Sequence, residues 1–228
     1  MTIISDSHKF IFVKPVKTAG SSVQANLAKV CAKTDLISAM DHFDPTRDET
    51  RYNNKNAAYS LPEHYPSIRI KKNYPDKWGR YWKVSIVRNP WDAEISKYYH
   101  RRHLYHLDPA TKKRGRPNKF VTSYDEPKSF SEYMEVHFRP NWSTCDPYYF
   151  IKGKMVMDFV LRYENLESDY KKLCKILEIP HRPLPKLKTK IRKEKLDYTK
   201  YYEDPKFISK VGSASFKTLQ HFGYRFGD

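Results

Sequence analysis

The chain has 228 residues, 39% hydrophobic and 15% aromatic, which fits one globular domain over residues 1–228 and excludes a disordered chain. Lysine and arginine total 43 against 26 acidic residues, giving a net charge of +17, so the partners to expect are anions: nucleic acid, anionic lipid, nucleotides or acidic glycans. Cys31, Cys145 and Cys174 are far apart and lack metal-ligand spacing, so free thiols in a reducing compartment are expected, and no zinc site.

Residues 1–9 read as a short polar lead-in. The apolar run Phe10-Ile11-Phe12-Val13 is far too brief for a signal segment or a membrane span, and no other stretch reaches spanning length. A soluble, cytoplasmic protein is the expectation. The run instead suits a strand buried on both faces. A small-residue turn follows, and then Val23, Leu27 and Val30 recur at helical spacing. The unit reads strand, turn, helix.

The unit returns twice. Trp82–Val87 reads as a strand, with Asn89 capping a helix that has Pro90 at its first position. Met155–Leu161 reads as a third strand. It leads to a helix carrying Leu166, Tyr170, Leu173 and Leu177, which stops before Pro180. Strands alternating with helices predict an α/β fold with a mainly parallel central sheet flanked by helices. Residues 41–80, 108–128 and 181–200 read as irregular. The last segment carries eight Lys/Arg against two acids.

The first turn, Lys14-Pro15-Val16-Lys17-Thr18-Ala19-Gly20-Ser21-Ser22, lies where a helix N-terminus offers unpaired N–H groups and a positive dipole end. Gly20 permits close approach of an anion, three hydroxyls lie nearby, and Lys17 adds charge. It is not a Walker A motif, because Lys17 precedes the single glycine. The second junction places Arg88 at a strand's carboxyl end, where open α/β sheets bind ligands. Ser96 follows about two helical turns later, and an arginine fork and a hydroxyl can share one phosphate.

The segment Lys17–Ser22 resembles the 5′-phosphosulfate loop of sulfotransferases that use 3′-phosphoadenosine 5′-phosphosulfate (PAPS). It most resembles the carbohydrate (heparan/chondroitin-like) branch, whose usual text is Pro-Lys-Thr-Ala-Gly-Thr-Ser. Val16 and Ser21 are mild departures. Arg88-Asn89-Pro90 with Ser96 resembles that family's 3′-phosphate motif at the same spacing. Arg162-Tyr163-Glu164-Asn165-Leu166 and the closing Phe222-Gly223-Tyr224-Arg225-Phe226 resemble its later segments.

The resemblance implies a P-loop-NTPase-like sulfotransferase fold and transfer of a sulfuryl group from PAPS to an acceptor hydroxyl, leaving 3′,5′-ADP, with no metal. It places Lys17 at the sulfuryl group and its bridging oxygen. Thr18, Ala19, Gly20, Ser21 and Ser22 cradle the 5′-phosphate, and Arg88 and Ser96 hold the 3′-phosphate. Lys190 and Arg192, in a late basic loop, reach either the same phosphate or the acceptor.

Removing the hydroxyl proton calls for a histidine or carboxylate. Of His42, His64, Glu63, Asp41 and Asp44, His64 is preferred, because it resembles a histidine that some carbohydrate sulfotransferases carry before the Arg-Asn-Pro motif. Glu63 is the second choice. The basic stretches 112–119 and 186–195 suit an anionic glycan. A competing reading takes Arg114-Gly115-Arg116-Pro117 as an AT-hook-like arm for the minor groove of A·T-rich DNA.

Overall fold

The computed structural model describes residues 2–38, 64–105, 126–187, 191–192 and 196–228. The first half of the chain contributes strands β1 (Thr2–Ser5) and β2 (Phe10–Val13), helix α1 (Gly20–Leu27) and strand β3 (Leu36–Ile37). Helices α2 (Ser67–Asn73) and α3 (Pro75–Arg80), strand β4 (Trp82–Val87) and helix α4 (Pro90–Tyr105) come next. Beyond these lie α5 (Phe130–Val136), α6 (Pro140–Ser143), α7 (Asp146–Tyr149), β5 (Phe150–Ile151), β6 (Lys154–Met155), β7 (Phe159–Arg162) and α8 (Leu166–Ile176). The last two helices are α9 (Pro205–Ala214) and α10 (Phe216–Phe222). Among the described residues no helix is long and apolar enough to cross a membrane.

The chain divides into two compact units. Among the described residues the first comprises residues 2–38, 64–88 and 145–187 and holds a five-stranded sheet of order β3-β1-β2-β4-β7. The sheet is mixed, not mainly parallel as the strand–helix alternation predicts. The β2–β4 and β4–β7 pairs are parallel, whereas β1 runs antiparallel to both β2 and β3. The difference comes from Thr2-Ile3-Ile4-Ser5, a buried strand inside the segment that reads as a polar lead-in.

A buried carboxylate fixes the β1–β2 hairpin. Asp35 accepts hydrogen bonds from Ser5 Oγ at 2.8 Å, the Asp6 N–H at 2.7 Å, the Ser7 N–H at 3.1 Å and the Ala32 N–H at 2.9 Å. Ser7 Oγ donates as well. These contacts tie residues 5–7 to residues 32–35, so the chain doubles back before β2.

Register places Ile3, Phe12 and Val84 side by side, and Ile86 beside Leu161. Paired residues share a face of the sheet, and this face meets Val23 and Leu27 of α1 and Tyr170, Leu173 and Cys174 of α8 in one core. Every side chain of β2 is fully buried, as its continuous apolar run predicts. Of the residues expected at helical spacing, Val23 and Leu27 lie in α1, which ends before Val30, and Leu166, Tyr170 and Leu173 lie in α8, with Leu177 as its C-cap.

Two other segments depart from expectation. Residues 64–80, part of a stretch that reads as irregular, form α2 and α3, each starting at or just after a proline that suits a helix's first turn. The run from Met155 is also broken. Lys152 and Gly153, both at positive φ, turn the chain into the β5–β6 hairpin. Asp158 then starts β7 by pairing twice with the Lys83 backbone, its carboxylate accepting from the N–H and its N–H donating to the carbonyl, each at 2.8 Å.

The second unit contains α4, α5, α6, α9 and α10. Its core is aromatic, with Trp91, Tyr98, Phe130, Tyr133, Tyr202 and Phe207 buried together. Phe130 meets Tyr98 and Tyr202 edge-on, at centroid distances of 5.8 and 4.9 Å. Glu94 is buried beside them, accepting from Tyr133 Oη at 3.0 Å and pairing with Lys97. Burial, and then the Glu94 charge, push the Tyr133 phenol well above its ordinary range. Asn89 caps α4 as predicted, its Oδ1 accepting from the Trp91 N–H at 3.0 Å.

The Asp35 network yields a pH prediction. Burial would raise this carboxyl, but the bonds from Ser7 and Ser5 outweigh it and hold the group below its ordinary 3.8. Its contribution is therefore complete above that value and is lost as pH falls through the lowered value. Asp35→Asn is expected to cost about 1–3 kcal/mol at neutral pH. It should also flatten the fall in urea midpoint between about pH 5 and pH 2. Equal slopes for the two proteins would remove Asp35 from the stability of the hairpin.

Candidate active site

Parallel pairing brings the carboxyl ends of β2, β4 and β7 to one edge of the sheet. The segment 14–22 leaves β2 there, Arg88 leaves β4, and Tyr163 leaves β7. In an open α/β sheet this edge is the ligand-binding edge.

The turn has an unusual backbone. Lys17 and Ala19 both adopt φ of 62°, the left-handed region that costs a residue with a Cβ roughly 1–2 kcal/mol. Ala19 is the N-cap of α1, and its carbonyl accepts from the Ser22 N–H at 3.1 Å. Left-handed residues alternating with ordinary ones turn successive N–H groups to the same side, making a concavity for an anion. The first N–H groups of α1 add to it. Thr18, Ser21 and Ser22 are all buried at this point, and Lys17 is half-buried.

Lys14 lies beneath the turn. It is 4% exposed, and its Nζ donates to Ser21 Oγ at 3.0 Å. Its methylenes fill the space in front of Gly20. A Cβ added at Gly20 would overlap Lys14 Cγ and lie 2.8 Å from Cδ and 2.9 Å from Cε. A side chain at residue 20 would therefore have to displace the lysine stem.

Arg88 is 8% exposed. Its Nη1 donates to the Lys17 carbonyl at 3.0 Å, and its guanidinium lies 3.9 Å from the centre of the Tyr163 ring. The arginine therefore bridges the turn and the β7 end, and its plane is fixed by stacking.

His64, half-buried just before α2, bonds the Lys14 carbonyl through Nδ1 at 3.1 Å. A carbonyl only accepts, so Nδ1 carries the hydrogen and the lone pair of the neutral ring sits on Nε2. The segment is anchored close by, where Ser67 Oγ donates to the Tyr148 carbonyl at 2.6 Å. The Tyr148 ring meets His64 edge-on at 6.5 Å, and burial raises its phenol above the ordinary range. Cys145 Sγ lies 3.8 Å from the Val16 carbonyl.

In the first unit, then, Lys17, Thr18, Ala19, Gly20, Ser21, Ser22, Arg88 and His64 come together. In the second unit, Ser96 is half-buried on α4. Arg192 donates through Nη1 to Asp92 Oδ1 at 2.8 Å and through Nη2 to the Leu196 carbonyl. Lys190, Glu63, His42, Asp41 and Asp44 lie outside the described residues, as do residues 112–119 with the AT-hook-like segment. Among the described residues no group of three or more His, Cys, Asp or Glu could hold a metal ion. The three cysteines are free thiols.

Two residues of the site were not singled out by sequence reasoning. Lys14 carries a signal, a basic residue directly after a buried strand. Tyr163 lies in the Arg-Tyr-Glu-Asn-Leu segment, which reads as support for the fold, and its stacking on Arg88 has no local signature.

The chain matches the family model described as "Sulfotransferase family" over residues 1–221. It belongs to that family, and the family is one of transferases. No curated protein matches it.

The packing of Gly20 on Lys14 gives a direct test. Gly20→Ala is expected to destabilise the protein by about 1–3 kcal/mol, because the lysine stem must leave its place. A urea midpoint within error of the parent would mean that the stem yields freely.

Proposed function

We propose that the chain is a PAPS-dependent sulfotransferase of residues 1–228, transferring a sulfuryl group to a hydroxyl of a carbohydrate acceptor. The observation that carries this reading is the convergence of the left-handed turn, Arg88 and His64 at the carboxyl ends of parallel strands. The turn's fit to a phosphate rests on its concave N–H groups, its helix N-terminus and its buried hydroxyls.

PAPS supplies a sulfuryl group already bonded to a good leaving phosphate. In the proposed reaction the sulfur–oxygen bond to that phosphate breaks as the acceptor oxygen bonds to sulfur. Thr18, Ala19, Gly20, Ser21 and Ser22 hold the 5′-phosphate. Lys17 stabilises the charge that develops on the leaving oxygen. His64 takes the acceptor's proton on Nε2, its Nδ1 hydrogen being held by the Lys14 carbonyl. Arg88, with Ser96 and Lys190 or Arg192, is assigned to the 3′-phosphate on the strength of the sequence resemblance. The branch likeness and the +17 charge favour a glycan acceptor, including an anionic one. A reducing, cytoplasmic setting accords with the free thiols.

Under this reading 3′,5′-ADP raises the melting temperature and ATP raises it much less. Equal shifts, or none, would count against PAPS as donor. Lys17→Ala should lower turnover by about 10²–10³. His64→Ala should lower it by about 10²–10⁴ and spare 3′,5′-ADP affinity. Loss of nucleotide affinity in His64→Ala would make the histidine a binding or structural group. Labelled PAPS offered to a panel of glycans, lipids and small alcohols identifies the acceptor, and a lipid-only signal would end the carbohydrate assignment.

A further inference from the structure

Lys14 touches three parts of the site at once. Its carbonyl accepts from His64 Nδ1, its methylenes cover Gly20, and its ammonium donates to Ser21 Oγ. None of these contacts is local to a regular element, since Lys14 follows β2 and precedes the turn. Only a chain that folds back from residue 20 over residue 14 creates them.

The direction of the Ser21 bond has a chemical consequence. An ammonium has donors and no lone pair, so Ser21 Oγ must accept. Its own hydrogen is then directed away from Lys14. The positive charge also polarises the hydroxyl and strengthens its donation.

We infer that Lys14 is a positioning residue that commits Ser21 to donating its hydroxyl hydrogen to the nucleotide's 5′-phosphate, while its carbonyl sets the tautomer of His64. The inference rests on the sulfotransferase reading of the turn. It assigns the chain a second functional lysine beside Lys17, one that acts through Ser21 and not on the sulfuryl group.

The test compares two ligands by calorimetric titration: 3′,5′-ADP and adenosine 3′-monophosphate, which lacks the 5′-phosphate. Lys14→Met keeps a stem over Gly20 and removes the donor. It should weaken 3′,5′-ADP about tenfold and leave adenosine 3′-monophosphate within about twofold. Ser21→Ala should do the same. The double variant should be no weaker than either single one, because the two changes remove one interaction. Lys14→Arg should recover part of the loss.

Equal weakening of both ligands, or fully additive losses, would overturn the inference. If Lys14→Met does not fold, Ser21→Ala decides: retention of the parent's preference for 3′,5′-ADP removes the proposed donation. A parent protein that binds 3′,5′-ADP no better than ATP fails at the earlier step, since the sulfotransferase reading itself then falls. A parent that passes while the variants do not discriminate between the ligands sinks the role of Lys14 alone.

Discussion

The parallel register of β2, β4 and β7 is the constraint on which the rest depends. Phe12 pairs with Val84, and Val84 with Phe159, so three strands end on the same side. Each then releases a segment of the candidate site at that edge. The alternation that faces Phe12, Val84 and Ile86 toward α1 and α8 fixes the register, because a one-residue slip would turn this apolar set away from its core. Packing energy far from the turn thereby sets the relative positions of Lys17, Arg88 and Tyr163.

Within that frame the site is held by contacts to backbone carbonyls. Arg88 binds the carbonyl of Lys17, and His64 binds that of Lys14. Such contacts hold the chain path and leave side chains of the turn to face a ligand. Two left-handed residues, Lys17 and Ala19, carry the associated strain, and neither is a glycine. The one glycine in the turn meets a different demand, the passage of the Lys14 stem.

Much of this was legible in the sequence, for local reasons. The buried run Phe10–Val13, the helix spacing of Val23 and Leu27, and the cap at Asn89 are short-range patterns that tertiary packing reinforces. The turn was recognisable because its residue types and their place after a strand are contiguous. What escaped detection was non-local. β1 is four residues long, and its order depends on Asp35, some thirty positions away. The run Met155–Leu161, whose hydrophobicity alone suggested one strand, is split at residues 156–158, because Met155 belongs to the β5–β6 hairpin and β7 starts only at Phe159. The contact between His64 and Lys14 spans fifty residues and leaves no periodic trace.

The far end of α1 is held by a part of the chain distant in sequence. Asn26, buried in the last turn of that helix, donates through Nδ2 to the carbonyls of Arg182 at 2.8 Å and Pro183 at 3.0 Å. The helix that begins at the left-handed turn is therefore pinned at both ends, by Lys14 below its first residues and by the segment after α8 at its last. A minimal excised fragment built to retain the turn's geometry must run through Pro183. One ending at Ile179 would contain every described strand of the sheet and α8 yet lack both carbonyls that hold Asn26.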